Sequence, residues 1–502
     1  MKELNHIVEE LIYYAKHHLF LNDIDAVYVR NLIFNLLNIN NPYDGEINKK
    51  RLDELTLPDS LIDELKESLS EKGFKNIELL IVEIMGLLTP MPSEVINKIN
   101  ALENKKVGLG LDYLFDLQIK NNYIQKTAID KNIYFKKEYD DNFLEITINL
   151  SKPEKNNKEV AKLLKKVTEE KYPKCLLCLE NLGYAGREDH PARGNIRILP
   201  LKLNNEYWFL QYSPYAYFDH HAIVIHNDHH NMTINDTTFI KLLEFVNKIP
   251  TFFIGSNADL PIVGGSILNH EHYQAGTHLL PMFFSKDREL VFENEDLKVS
   301  ILNWYNSVIK IEGKDYNKIN EVAKTILKSW RVYSNESLDI ISSKEEIHNT
   351  ITPIARKDKE SFYLYLILRN NRCNEMHPDG IFHAHKKYHH IKQEGIGLIE
   401  AMGLFILPAR LKRQMGYVEE ILISTNPLEE YYDRYEDLYI HKEMIDELVL
   451  KYGRGISDIN AKNIINDYIS NTCLNILKNT AVFKDDEISL KAFKEFILSS
   501  IK

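Results

Sequence analysis

A chain of 502 residues with 44% hydrophobic and 27% charged residues can bury large hydrophobic cores and has the composition of a soluble protein of several domains. Its formal net charge is −11 and it carries no long basic run, which argues against nucleic acid as its main partner. A small anionic substrate remains compatible, because a few local arginines can override the global sign.

The N-terminal stretch interrupts its apolar pattern with Asn5, His6, Glu9 and Glu10, so it lacks the apolar core of a secretory signal. No apolar run approaches the length of a membrane span, and no membrane partner is expected. Residues 1–110 read as a helical region. Leu4, Ile7, Val8, Leu11, Ile12 and Ala15 recur at helical spacing, as do Val29, Leu32, Ile33, Leu36 and Leu37. The Thr89–Ser93 segment reads as a linker or cap before a helix opening at Glu94.

Strand texture begins near residue 140. Leu144, Ile146, Ile148 and Leu150 alternate onto one face. Ile196–Leu201 and Tyr207–Tyr212 predict a hairpin closed at Asn204-Asn205. Short strands follow at Ala222–Ile225 and Phe252–Ile254, with helical pattern from Thr237 to Lys248 between them. A second strand-rich block holds Leu297–Leu302 and Phe362–Leu368 and carries its own His-x-His, His383-Ala384-His385. From about residue 420 the chain reads as helical again. The absence of a regular βαβ rhythm predicts an α+β fold with antiparallel sheet, and the two strand-rich blocks hint at duplication.

The most informative stretch is Gly264-Gly265-Ser266 followed by His270-Glu271-His272-Tyr273-Gln274. On an extended strand, residues two apart share a face, which would bring His270, His272 and Gln274 together. The glycines upstream allow backbone to approach a phosphate. A histidine beside a neutral amide donor suits phosphoryl or nucleotidyl transfer. A chain with 19 histidines meets His-x-His by chance, so the weight rests on the motif's company.

Part of that company is Cys175-Leu176-Leu177-Cys178. The motif admits zinc ligation, thiol redox chemistry or coincidence. No thioredoxin-like unit surrounds it, and no second Cys-x-x-Cys exists, so a site of two such pairs is excluded, while two cysteines with two histidines stays open. Candidate histidines lie in Asp219–His230, which holds His220, His221, His226, His229 and His230, and His270 is the better fourth ligand. The four cysteines, Cys373 and Cys473 included, exclude a disulfide scaffold and fit a cytoplasmic, reducing setting. Arg187, Arg193 and Arg197 follow the Cys-x-x-Cys and are candidates for bidentate phosphate contact, against a plain surface role. Arg410 and Arg413 are weaker candidates. Asn257 is either a phosphate ligand or a turn residue.

Several stretches together resemble galactose-1-phosphate uridylyltransferases of the second, bacterial type, within the histidine-triad superfamily. They are Leu144–Lys155, Leu210–Tyr215, Gly264–Gly276, Tyr388–Lys392 and Gly397–Leu404. The resemblance covers nearly the whole chain. It implies a duplicated histidine-triad-like antiparallel sheet with helical N- and C-terminal regions. The expected division is 1–110, a first half over 111–290, a second half over 291–420 and a helical region over 421–502. It implies exchange of a uridylyl group between UDP-glucose and galactose 1-phosphate, through a covalent adduct on His272. Gln274 would hydrogen-bond a phosphate oxygen without offering a proton. Asn257, Gly264, Gly265, Ser266 and the three arginines would bind substrate.

The first type of this family carries His-Pro-His-Gly-Gln, where this chain has Glu271 between the histidines. Its zinc set resembles Cys175, Cys178, His229 and His270. Its second metal site uses a glutamate after the motif, but Thr277–Pro281 has none, so iron is not assigned even though His383 and His385 resemble its other ligands. No organic cofactor is implied, and a homodimer is left open. Two rivals stay open: a dinucleoside polyphosphate phosphorylase of the same superfamily, and a non-catalytic UDP-sugar-binding protein.

Overall fold

The structure is a computed structural model that describes residues 2–151, 172–264, 267–343 and 346–501. Gly265, Ser266 and the Lys152–Lys155 part of the first resembling stretch lie outside the described residues. The fold is α+β, with antiparallel sheets and abundant helix. The chain divides into two compact units. One comprises Met1–Asp130, Lys155–His230 and His270–Gly276, and the other Lys131–Glu154, Asn231–Asn269 and Thr277–Lys502. Among the described residues, no single helix is long and apolar enough to cross a membrane.

The first unit opens with helices whose apolar stripes face inward. In Leu4–His18 the residues Leu4, Ile7, Val8, Leu11, Ile12 and Ala15 are all buried. Helix Pro92–Glu103 starts two residues before the expected Glu94, because proline has no amide hydrogen to lose at the first helical position and its φ is already helical. Four antiparallel strands follow in the spatial order Leu199–Leu203, Glu206–Tyr212, Ala222–His226 and His272–Gly276. The first hairpin turns at Asn204 and Asn205, with φ of 47° and 63°. Asparagine tolerates this left-handed pair, whose twist matches the flanking strands. The residues Ile196–Ile198, expected in that hairpin, lie before the strand.

The second unit holds six antiparallel strands in the order Phe253–Gly255, Asn349–Asp358, Ser361–Asn370, Val308–Gly313, Leu297–Leu302 and Asp287–Glu293. Helix Tyr316–Val332 packs on them, and Trp330 Nε1 donates to the Thr350 carbonyl at 2.8 Å. A separate three-stranded sheet places Phe143–Asn149 between Ile133–Glu138, antiparallel, and Leu404–Pro408, parallel. Alternation predicted one buried face for this strand. Instead Glu145 and Thr147 are buried as well, as befits a central strand. The C-terminal region is helical, including Arg410–Ile423, Asp458–Asn479 and Glu487–Ser500.

Candidate active site and metal centre

Strand His272–Gly276 is the last of the four in the first unit and pairs with Ala222–His226. The strand begins at His272. His272 and Gln274 therefore share a face by alternation, while His270 precedes the strand and sends its ring elsewhere. Ile225 lies opposite His272 and Ile223 opposite Gln274, so those four side chains sit on one face of the sheet.

The His272 ring is buried, and its Nδ1 lies 2.8 Å from the His270 carbonyl oxygen. A carbonyl only accepts, so Nδ1 carries the hydrogen and Nε2 keeps a free lone pair. Burial holds the His272 pKa below the ordinary histidine value, against the smaller raising effects of that backbone bond and of Glu271. The result is a neutral imidazole with one nucleophilic nitrogen.

His270 is fully buried, and its Nε2 donates to the His226 carbonyl at 2.8 Å. This leaves Nδ1 unprotonated, 3.3 Å from Cys175 Sγ and 3.7 Å from Cys178 Sγ. His229 Nδ1 lies 3.1 Å from Cys178 Sγ, and the two sulfurs are 3.6 Å apart. Among the described residues these four side chains gather their donor atoms within 4.8 Å of one another, as a metal ion requires. Burial pushes the Cys178 thiol up to about 12, helped by the neighbouring Cys175, so without a cation that thiol would stay protonated here. Asn181 braces the turn: its Nδ2 donates to the carbonyls of Cys175 and Cys178, both at 2.8 Å, and His190 Nε2 bonds its Oδ1 at 2.7 Å.

The three candidate arginines have different surroundings. Arg197 is 4% exposed and spends every donor on backbone. Nε reaches the Pro90 carbonyl at 2.6 Å, Nη1 those of Gly194 and Ile196, and Nη2 those of Gly86 and Thr89. No N–H is left for a phosphate, so the expectation that Arg197 binds substrate is corrected: it is a buried clamp on the C-terminal end of helix Ile77–Leu88. Arg187 pairs with Asp189 at 2.6 Å and donates to the Tyr172 carbonyl and the Tyr184 hydroxyl. Arg193 makes one long contact, 3.3 Å to the Ala192 carbonyl, and lies over the Tyr123 ring. Of the three it keeps the most donor capacity.

In the second unit, Asn257 Oδ1 accepts from the Leu398 amide at 2.8 Å, which ties it to the start of the short helix Leu398–Ala401. A Cβ at Gly264 would lie 2.7 Å from the Ala258 carbonyl oxygen, so only glycine fits that approach. The second His-x-His is buried at His383, whose pKa is pushed down to about 4, by burial first and by the Arg369 guanidinium next. His385 Nε2 bonds the Ile381 carbonyl at 3.1 Å.

Sequence reasoning did not assign His221, although it lay within the histidine cluster. Its Nε2 lies 3.2 Å from Gln274 Oε1. The contact follows from the pairing of Ile223 with Gln274, a register that no spacing in the sequence reveals.

Comparison with known proteins agrees along the chain. The N-terminal domain of the family described as galactose-1-phosphate uridyl transferase matches residues 22–231, and its C-terminal domain matches 245–437. A galactose-1-phosphate uridylyltransferase of Caldanaerobacter subterraneus is 41% identical over 98% of this chain and 96% of its own length. One of Clostridium acetobutylicum is 42% identical over 98% and 99%. The crystal structure of yeast Ap4A phosphorylase Apa2 covers 65% of this chain and 90% of its own at 9% identity and a TM-score of 0.32, too distant to argue from. With both domain families matched in order, and relatives of this identity matched end to end, the chain belongs to the galactose-1-phosphate uridylyltransferase family.

Proposed function

We propose that this protein transfers a uridylyl group between UDP-glucose and galactose 1-phosphate, with His272 as nucleophile. His272 Nε2 attacks the α-phosphorus of UDP-glucose. The bond from that phosphorus to the bridging oxygen breaks, and glucose 1-phosphate leaves with the electron pair. The leaving group is a stable anion at neutral pH, so no strong acid is needed beside it. A phosphate oxygen of galactose 1-phosphate then attacks the uridylyl-imidazole and releases UDP-galactose, restoring the free lone pair. Gln274 donates from its amide to a non-bridging oxygen, stabilising charge in the transition state without supplying a proton. Gly264, Gly265, Ser266, Asn257 through its amide nitrogen, Arg187 and Arg193 are proposed for phosphate binding.

The observation that supports this reading most directly is the Nδ1 hydrogen bond from His272 to the His270 carbonyl, which leaves Nε2 unprotonated. Zinc is the proposed occupant of Cys175, Cys178, His229 and His270. Zinc–sulfur bonds near 2.3 Å and zinc–nitrogen bonds near 2.0 Å give tetrahedral edges of about 3.8 Å between sulfurs and about 3.5 Å from sulfur to nitrogen. The distances of 3.6 Å between the sulfurs and 3.1 to 3.7 Å from sulfur to nitrogen support that assignment. The ion would hold the His270 side chain and take no part in the transfer itself. Reduced thiols and metabolite substrates support a cytoplasmic setting. Separate antiparallel strands and a separate His-x-His in each unit support the proposed duplication.

The test is intact mass analysis after mixing with UDP-glucose. A uridylyl adduct with stoichiometric glucose 1-phosphate is expected, and galactose 1-phosphate should discharge the adduct as UDP-galactose. His272→Ala should fold and form no adduct. Binding of UDP-glucose without an adduct in the wild type would overturn the reading in favour of a non-catalytic UDP-sugar-binding protein.

A further inference from the structure

We propose that His221 is a positioning residue for this transfer: its Nε2–H holds Gln274 Oε1 and so turns the amide N–H group of Gln274 towards the reacting phosphate. This rests on the function proposed above.

A glutamine amide is ambiguous until something fixes it. With Oε1 towards the phosphate it would repel the developing charge, and with Nε2–H₂ towards it the amide stabilises that charge. The neighbour that decides is His221, at 3.2 Å from Oε1. Nothing but a donor is useful at that atom, so His221 Nε2 carries the hydrogen. His221 is 2% exposed. Burial keeps its ring neutral, with a pKa pushed down to about 4.

The ring is also held in place. Tyr217 stacks on it with centroids 5.1 Å apart, and Phe218 tilts against it at 4.7 Å. The His221 amide donates to the Phe218 carbonyl at 3.2 Å, and its carbonyl accepts from the Ser213 amide at 2.8 Å. Gly276, two residues past Gln274, completes the packing. A Cβ there would lie 2.3 Å from the Phe218 ring, so any other residue would displace the ring that backs His221. A strand that carries the nucleophile thus carries both the amide donor and the space for its orienting partner. Neither of the two displacements of the transfer uses the His221 imidazole directly.

The experiment is a double-mutant cycle on the rate of uridylyl adduct formation with UDP-glucose, read by rapid quench and intact mass. His221→Phe keeps an aromatic ring between Tyr217 and Phe218 but removes the donor. It should slow adduct formation by about tenfold or more, the usual loss for a hydrogen bond of this kind, while the dissociation constant for UDP-glucose stays within about twofold. His221→Gln, whose amide reaches nearly as far as Nε2, should recover much of the rate. In a Gln274→Ala background, His221→Phe should cost less than about twofold, because its only route of action is gone. If His221→Phe loses its thermal transition, His221→Asn takes its place, being polar but too short to reach Gln274. Losses that multiply in the double variant, or a wild-type rate in the single variant, overturn the proposal. A wild type that binds UDP-glucose and forms no adduct overturns the parent function instead, and this inference with it.

Discussion

Arg197 separates two accounts of one residue, because a phosphate ligand and a buried clamp fail differently. Its five hydrogen bonds run to the carbonyls of Gly86, Thr89, Pro90, Gly194 and Ile196, over 2.6 to 3.2 Å. Burial draws its pKa down to about 10, so the guanidinium is still charged at neutral pH. Hydrogen bonds to charged groups contribute about 1.5–3 kcal/mol each, which would sum to about 7.5 kcal/mol at the low end. That sum overshoots, since the Gly86 carbonyl also accepts from the Thr89 amide and the others can relax towards water. A net loss of about 3–5 kcal/mol is expected for Arg197→Met, in the range for breaking a buried charged network. Arg197→Lys should lose nearly as much, because one ammonium cannot serve carbonyls spread around a planar fork. The assay is thermal melting beside KM for UDP-glucose. Both variants should melt lower by roughly 5–15 °C, with KM of the folded fraction within about twofold of wild type. An unchanged Tm with KM raised tenfold or more would refute the clamp and restore the phosphate role.

Two further predictions follow from single contacts. Asn181→Ala removes the amide that braces both cysteine carbonyls. The variant should hold the proposed zinc about tenfold more weakly against a competing chelator, the usual cost of removing an outer partner of metal ligands, and an equal affinity would remove the bracing role. His441 is fully buried and bonds Gln414 Oε1 at 3.0 Å. Its pKa is pushed down to about 3, by burial first, then by His390 and Arg410, with Asp437 opposing. The folded value lies below the unfolded one, so stability is intact above about pH 6.5 and falls as acid protonates the unfolded chain first. Between pH 7 and pH 5 this one group costs about 2 kcal/mol at about 1.4 kcal/mol per unit. Denaturant midpoints of His441→Gln should therefore drop less on acidification than those of wild type, and identical drops would sink the assignment.

What could be read from the sequence was local. The turn at Asn204-Asn205 was legible because left-handed backbone is a property of those two residues alone. The helical stripe from Leu4 to Ala15 was legible because its period is local too. Arg197 was misread because its partners Gly86, Thr89 and Pro90 lie more than a hundred residues upstream, and no spacing rule reaches them. The contact of His221 with Gln274 needed the strand register, which the sequence does not give. The Phe143–Asn149 strand showed its period but not its place, since the strand that covers its other edge comes from Leu404–Pro408. The meeting of Cys175 and Cys178 with His229 and His270 was an implication of family resemblance, not of spacing.

Glu271 stands where the first type of the family has proline, and the hydrogen bonds around it account for what a proline would lose. The Glu271 amide donates to the His230 carbonyl at 2.8 Å, a bond proline cannot make. The Glu271 carbonyl accepts from the His226 amide at 3.1 Å, and His270 Nε2 donates to the His226 carbonyl at 2.8 Å. Three hydrogen bonds therefore tie the segment around His229 to the segment from His270 to His272. The Glu271 carboxylate accepts locally from the Tyr273 hydroxyl at 2.7 Å, while its other oxygen lies 3.5 Å from His230 Nε2. These bonds fix the backbone around both proposed histidine ligands and the ring of His270, so little ordering would be left there for metal binding to supply. The same backbone presents the His270 carbonyl to His272 Nδ1. One residue's side chain thus faces the cysteines while its carbonyl fixes the tautomer of the proposed nucleophile. On that reading, damage at the cluster would reach His272 through a single peptide unit.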